Sequence, residues 1–247
     1  MEIEVSGALI HYEEDGSKES PAVLLWNGAS CTLRMWDFVV KELKDEYRFI
    51  RFDVRGTGSS IYQDPDSNLF SLDQYNEDAN RILEQLQIDK VIVWSMAWGS
   101  RAAIAYCSKN VGRVNNAVLH DASIAKADPT AQKEGAKVAV EKQISEGLKK
   151  FEKPANYNLN HQPELVPNAL AAAANFDLSS AINQLSMPVL LVTGDHDPNL
   201  VSSREINKTL VNSSLQVLEN VGHGSVLQRP DLSINSFRQF QLDQKQS

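Results

Sequence analysis

The segment Val91-Ile-Val-Trp-Ser-Met-Ala-Trp-Gly-Ser100 has the layout of a nucleophile elbow without the reactive atom. A β-branched run leads into small residues alternating with large ones, and a helical pattern follows. A side chain at the apex of such a strand-to-helix turn stands clear of both elements. The strained backbone there demands small residues two before and two after the apex. Ala97 meets that demand with Ser95 and Gly99. With Ser95 as apex the flanks would be Val93 and Ala97, and a β-branched valine would crowd the turn. Ser95 also comes too early, directly after the strand-like Val91–Trp94. The apex is therefore read as Ala97, a residue that can attack nothing.

Two later stretches hold the partners that a hydroxyl at position 97 would need. In LLVTGDHDPNL, Asp197 follows the apolar run Val189–Thr193; in NVGHGSVLQRP, His223 follows Leu215–Leu218. An apex, then an acid, then a histidine, each on a loop past a strand, is an arrangement for nucleophilic acyl transfer. Asp195 and Asp121 also stand at strand ends and are rival acids, with Asp197 preferred. The run Asp195-His196-Asp197 could suggest a metal site, but adjacent residues rarely converge on one ion. No metal and no organic cofactor is expected.

These residues need a scaffold, and the chain supplies one. Strand-like runs at Val23–Trp26, Phe49–Asp53, Val91–Trp94, Ala117–His120, Val189–Thr193 and Leu215–Leu218 alternate with helical patterns. Leu72, Tyr75, Ala79, Ile82, Leu83 and Leu86 fall on one helical face between the second and third. That alternation predicts a mostly parallel sheet flanked by helices. Glu2–Val5 and Ile10–Glu13, joined by Ser6-Gly7, read as an edge hairpin, which brings the sheet to eight strands. From Ser123 to Phe176 no strand is evident. Helical patterns at Thr130–Lys150 and Glu164–Asn175 bracket a loop holding Pro154 and Pro163. The reading is a core of residues 1–122 and 177–247 with a small helical lid over 123–176; two ordinary crossover helices are the alternative.

Composition narrows the function. The 247 residues are 42% hydrophobic and 23% charged, ordinary for a globular α/β domain. A formal charge of −8 argues against nucleic acid and anionic membranes as partners. No apolar run spans a bilayer, and MEIEVSGALI lacks the basic-then-apolar order of an export signal. Cys31 and Cys107 have no metal spacing and read as reduced, packed thiols, which points to the cytoplasm. No interface pattern reveals an oligomeric state.

With these motifs in place, the sequence resembles the α/β-hydrolase superfamily over nearly its whole length. LLWNGASCTLRMW looks like the loop that supplies an oxyanion-hole amide, with Asn27-Gly28 where relatives often carry His-Gly. FDVRGTGSS is similar to the family's Asp-x-Arg-Gly-x-Gly-x-Ser turn, read as structural, with Gly56 and Gly58 permitting unusual backbone angles. Asn27, the Met35-Trp36-Asp37 stretch and the compact length look most like β-ketoadipate enol-lactonases and related esterases. The resemblance implies hydrolysis of a small-molecule carboxylic ester or lactone by a Ser-His-Asp mechanism. In it Asp197 orients His223, and backbone N–H groups of Ala29 and Trp98 receive the oxyanion. Asn27, Gly28, Trp26, Trp98, Tyr157 and the Ala171–Phe176 stretch ending in Phe176 are expected to line the substrate pocket.

Ala97 and Ser100 depart from the family's Ser and second Gly. Three explanations of Ala97 stand open. The first is a deliberate Ser-to-Ala change that traps ligand and removes only the hydroxyl. The second is a natural protein that binds a small molecule without turning it over. The third is a lost Asp, since Ala97-Trp98-Gly99-Ser100 also resembles the Asp-Trp-Gly-Ser of haloalkane dehalogenases. Against the third, dehalogenases usually place Asn where this chain has Ala29, and epoxide hydrolases want Pro where it has Ser30.

Overall fold

The structure, a computed structural model, describes residues 1–64, 69–148 and 150–246; residues 65–68 and 247 of the expected core and 149 of the expected lid lie outside it. Its strands are β1 (Glu2–Val5), β2 (Ala8–Asp15), β3 (Ala22–Trp26), β4 (Arg48–Phe52), β5 (Ile61–Tyr62), β6 (Val91–Met96), β7 (Val114–His120), β8 (Val189–Gly194) and β9 (Ser213–Leu218). Eight of them form one path in the order β1-β2-β4-β3-β6-β7-β8-β9, and the two-residue β5 pairs with β2 as a ninth strand. β1, β2, β4 and β5 meet antiparallel, whereas β4 through β9 run parallel along the path.

The β-branched runs become central strands because both faces of the sheet are covered, which removes the need for a polar face. Alternate residues of β3 divide between two cores: Leu24 and Trp26 on one side, Val23 and Leu25 on the other. α2 (Leu72–Gln85) and α3 (Trp98–Lys109) pack on the first side. α1 (Asp37–Leu43) and α9 (Pro230–Gln246) pack on the second. α2 buries Leu72, Tyr75, Ala79, Ile82 and Leu83, the face its spacing predicts.

Between β7 and β8 the described residues hold helices and turns. α4 (Pro129–Ser145) begins at Asp128, whose carboxylate accepts the Ala131 N–H at 3.0 Å. It ends before the expected Lys150. α5 (Val166–Ala171) runs into a 3₁₀ turn at Ala172–Asn175, and α6 (Leu178–Ile182) leads back to the sheet. α4 sits backbone-to-backbone on two loops past the strand ends. A Cβ added to Gly135 would stand 1.9 Å from the His196 carbonyl oxygen, and one on Gly222 2.5 Å from Ala136 Cα. Gln143 Nε2 donates to Asn220 O at 2.7 Å, and Asn220 Nδ2 donates to both Glu146 carboxylate oxygens at 3.0 Å. α7 (Leu200–Thr209) and the short α8 (Ser225–Gln228) follow β8 and β9. No helix among the described residues is long and apolar enough to cross a membrane.

Candidate active site

Ala97 is the residue between β6 and α3, with φ 55° and ψ −113°. Positive φ in a non-glycine residue costs energy and persists only where the surroundings impose it. Gly99 shows what imposes it: a Cβ there would lie 2.4 Å from the Asn27 carbonyl oxygen and 2.5 Å from that of Trp26. Only glycine lets α3 approach β3 so closely. Ser95 lies inside β6, wholly buried, with Oγ 2.9 Å from Ser100 Oγ, which in turn donates to the His120 carbonyl at 2.7 Å. The apex is position 97, and Ser100 serves as a strut between β6 and β7.

The loop after β3 is held from below. Asn27 Nδ2 donates to the Phe52 carbonyl at 2.8 Å, and its Oδ1 accepts the Trp36 indole N–H at 3.0 Å. Asp53 accepts the Leu33 N–H at 2.7 Å and the Ser59 N–H at 3.0 Å. Gly58, with φ 53°, passes so close to Asp53 that an added Cβ would meet its carboxylate at 2.1 Å. Gly28 is closed in by Met96, whose Cε would lie 2.6 Å from an added Cβ. Asn27 and Gly28 therefore brace the loop, and neither is among the residues that line the cavities beside Ala97, where the sequence reading expected them. Ala29, one residue on, does border the cavity beside Ala97.

The acids divide their work by geometry. His223 Nδ1 donates to Asp197 Oδ2 at 3.0 Å, and Asp197 Oδ1 accepts the Asn199 N–H at 2.9 Å. Burial would lower the His223 pKa, but the Asp197 hydrogen bond and the charges of Asp121 and Asp197 outweigh it and raise it above its ordinary 6.5. Asp195 turns away, bonding His196 Nδ1 at 2.6 Å and the Val221 N–H at 3.1 Å. Asp121 lies beneath, with φ 52°, its Oδ2 accepting the N–H groups of Gly224 at 3.0 Å and Ser225 at 2.8 Å and the Ser225 hydroxyl at 3.1 Å. It thus clamps the loop that carries His223. Complete burial, reinforced by Asp197, pushes its carboxyl up to about 7.

Asp121, Asp197 and His223 each offer one metal-ligand atom within 4.8 Å of the others. Nδ1 of His223 and Oδ2 of Asp121 are engaged by protein partners, whereas Asp121 Oδ1 is buried without one.

A cavity of about 750 Å³ opens over these groups, bordered by Ala29, Ala97, Trp98, Leu170, Phe176 and His223 among others. A second recess of about 380 Å³ shares Ala29, Ala97 and His223 and reaches Tyr157. Phe176 and Tyr157 thus border different compartments around one centre. Trp26 does not belong to either: it is 1% exposed and packs on Phe52 and Tyr106 at ring distances of 5.0 and 5.6 Å. Its position on β3 turns the indole into the sheet's core. Sequence reasoning overlooked Arg101 and Leu170. Arg101 borders the larger cavity, and the carbonyl of Leu170 accepts the Trp98 indole N–H at 2.9 Å.

The sequence profile described as the alpha/beta hydrolase fold matches residues 21–138. This chain has the α/β-hydrolase fold. It is similar to 3-oxoadipate enol-lactonase 2 of Acinetobacter baylyi, 23% identical over 240 residues, 90% of this chain and 88% of that protein. The crystal structure of the enol-lactonase from Burkholderia xenovorans LB400 matches with a TM-score of 0.80 at 20% identity, covering 98% of this chain and 100% of that one. Epoxide hydrolase 1 of Caenorhabditis elegans is 32% identical over 101 residues, 41% of this chain and 25% of that protein. The likeness to enol-lactonases thus runs through the whole α/β-hydrolase fold.

Proposed function

We propose that this α/β hydrolase is the scaffold of a serine-type carboxylic ester or lactone hydrolase with alanine at the nucleophile position. In the Ala97 form it binds substrate and turns it over slowly at best. The observation that carries the reading is the pairing of His223 with Asp197 at 3.0 Å on a cavity whose wall includes the strained apex Ala97. A hydroxyl at position 97 would pass its proton to Nε2 of His223 as it attacks the acyl carbon. Asp197 holds Nδ1–H and stabilises the imidazolium. The oxyanion meets the N–H groups of Ala29 and Trp98; the latter opens α3, where no preceding turn uses it. His223 then protonates the leaving oxygen, and water repeats the sequence on the acyl group.

In this reading residues 123–176 act as the lid, and Phe176, Trp98 and Tyr157 contact the ligand. The free, buried Cys31 and Cys107 support a cytoplasmic setting. The aspartate-nucleophile reading is weaker, because the Trp98 indole N–H, the group that would bind halide, is taken by Leu170 O.

The test is Ala97→Ser, assayed with aryl esters and a panel of lactones. Turnover should rise by on the order of 10³-fold or more. His223→Ala in that background should abolish it, whereas His161→Ala or His11→Ala should leave most of it. Ala97→Asp, assayed with haloalkanes and epoxides, is the control for the aspartate reading. If neither Ser nor Asp restores turnover while a small molecule still binds beneath the lid, the protein is a natural binder.

A further inference from the structure

The oxyanion donor proposed at Ala29 sits in a turn under strain. Gly28 O accepts the Cys31 N–H at 3.0 Å, which closes a four-residue turn with Ala29 and Ser30 at its centre. Ser30 has φ 57°. That is the left-handed region, which the third residue of such a turn enters readily only as glycine or asparagine. A serine persists there only under restraint, because the strain is released when the peptide joining it to Ala29 rotates. The bonds that hold the loop from below end at Asn27 and Leu33 and reach neither Ser30 nor Thr32.

The restraint comes from above. Residues 154–162 of the proposed lid cross the loop as a strap. The Tyr157 carbonyl accepts the Thr32 N–H at 2.6 Å, and the Asn156 carbonyl accepts the Thr32 hydroxyl at 2.9 Å. Asn160 uses its whole amide. Its Oδ1 accepts the Gly58 N–H at 2.7 Å, while Nδ2 donates to Ser30 O at 3.3 Å and to Asn158 O at 3.1 Å. The His161 N–H returns to Gly58 O at 2.9 Å. Gly58 is itself pressed on Asp53, the acid that holds Leu33. Asn160 thereby ties the carbonyl of the strained residue to the floor of the same loop. Gln162 anchors the strap elsewhere, accepting the Tyr62 N–H at 2.7 Å and donating to Tyr62 O at 3.1 Å.

We propose that Asn160 is a positioning residue for the oxyanion hole. Through its bond to Ser30 O it keeps the turn of residues 28–31 in the form that presents the Ala29 N–H to the cavity. This rests on the hydrolase reading for the donor's role but not for the clamp, and two arms keep them apart.

Asn160→Asp separates the clamp from the anchor, since a carboxylate still accepts the Gly58 N–H but donates nothing to Ser30 O. In the Ala97→Ser protein it should lower kcat and kcat/KM for aryl esters equally, by about tenfold or more, because the oxyanion forms only in the transition state. Ser30→Gly added to Asn160→Asp should recover most of the loss, as glycine holds a positive φ without a clamp. Gln162→Ala, which loosens the strap away from the turn, should lower Tm and leave kcat unchanged. In the Ala97 protein, exchange of the Cys31 amide hydrogen, followed by NMR, should quicken about tenfold in Asn160→Asp and slow again when Ser30→Gly is added. Circular dichroism checks that each variant is folded. Unchanged kcat and unchanged Cys31 exchange in Asn160→Asp, or a loss that Ser30→Gly does not recover, overturns the clamp and leaves the hydrolase reading standing. Faster Cys31 exchange that Ser30→Gly reverses, with no turnover of any ester by Ala97→Ser, supports the clamp and overturns the hydrolase reading.

Discussion

Gly99→Ala probes the contact that builds the apex. The new Cβ would stand 2.4 Å from Asn27 O, 2.5 Å from Trp26 O and 2.8 Å from Trp26 C. All three are backbone atoms at the end of a central strand, so no flexible side chain can swing aside. To restore an ordinary contact, α3 must retreat by about 1 Å from a close-packed interior. Overpacking of this kind costs about 1–3 kcal/mol, and the rigid neighbours place this case at the upper end. In a domain of this size, about 3 kcal/mol lowers Tm by roughly 6–12 °C. The same retreat moves the Trp98 N–H away from the Ala29 N–H. In the Ala97→Ser background kcat/KM should therefore fall by about 10²-fold, the scale of a 1 Å misplacement. The assays are thermal unfolding and aryl-ester hydrolysis. Gly112→Ala is the control, since a Cβ there meets nothing within 4 Å, and it should change neither quantity appreciably. A Gly99→Ala protein with unchanged Tm and unchanged turnover would refute the close-approach argument.

Three further outcomes are expected. Hydrolysis by the Ala97→Ser protein should rise with pH along a limb centred above 6.5, because His223 accepts a proton only when neutral and its neighbours hold its pKa up; a limb centred below 6 would contradict this. Asp121 keeps its proton to about 7 in the fold but loses it near 3.8 when unfolded, so the native state binds the extra proton between those values. Its contribution to stability is therefore present at low pH and lost as pH rises through that window, and Asp121→Asn should flatten the profile measured by urea denaturation from pH 4 to 8. Trp98→Phe removes the bond to Leu170 O and should lower stability by about 1 kcal/mol, read by urea denaturation; unchanged stability would contradict the contribution of that bond.

What could be read in the sequence follows from how local each signal is. The central strands were legible because two covered faces require unbroken β-branched runs, and the register of β3, β6, β7 and β8 falls on those runs. The two residues of β5 are too few for any period to show. The apex was legible from Ser95 and Gly99 alone, because the turn's sterics act on neighbours in the chain. Trp26 and Asn27 were legible only as residues of the pocket wall or of the core, because residue type at a strand end does not say which way the side chain points. Trp26 follows the alternation of β3 into the core, and Asn27 is drawn down by Phe52 O and Trp36. The clamp by Asp121 joins residues more than a hundred positions apart, and no local pattern announces it.

The central claim is that position 97 lacks only a hydroxyl. Its most direct test is the intact mass of the Ala97→Ser protein after treatment with an alkyl fluorophosphonate, which labels a serine activated by a neighbouring histidine. One phosphonyl group per chain is expected, located at position 97, absent from the Ala97 protein and lost again when His223 is changed to Ala. An unlabelled Ala97→Ser protein, or a label that persists without His223, would contradict it.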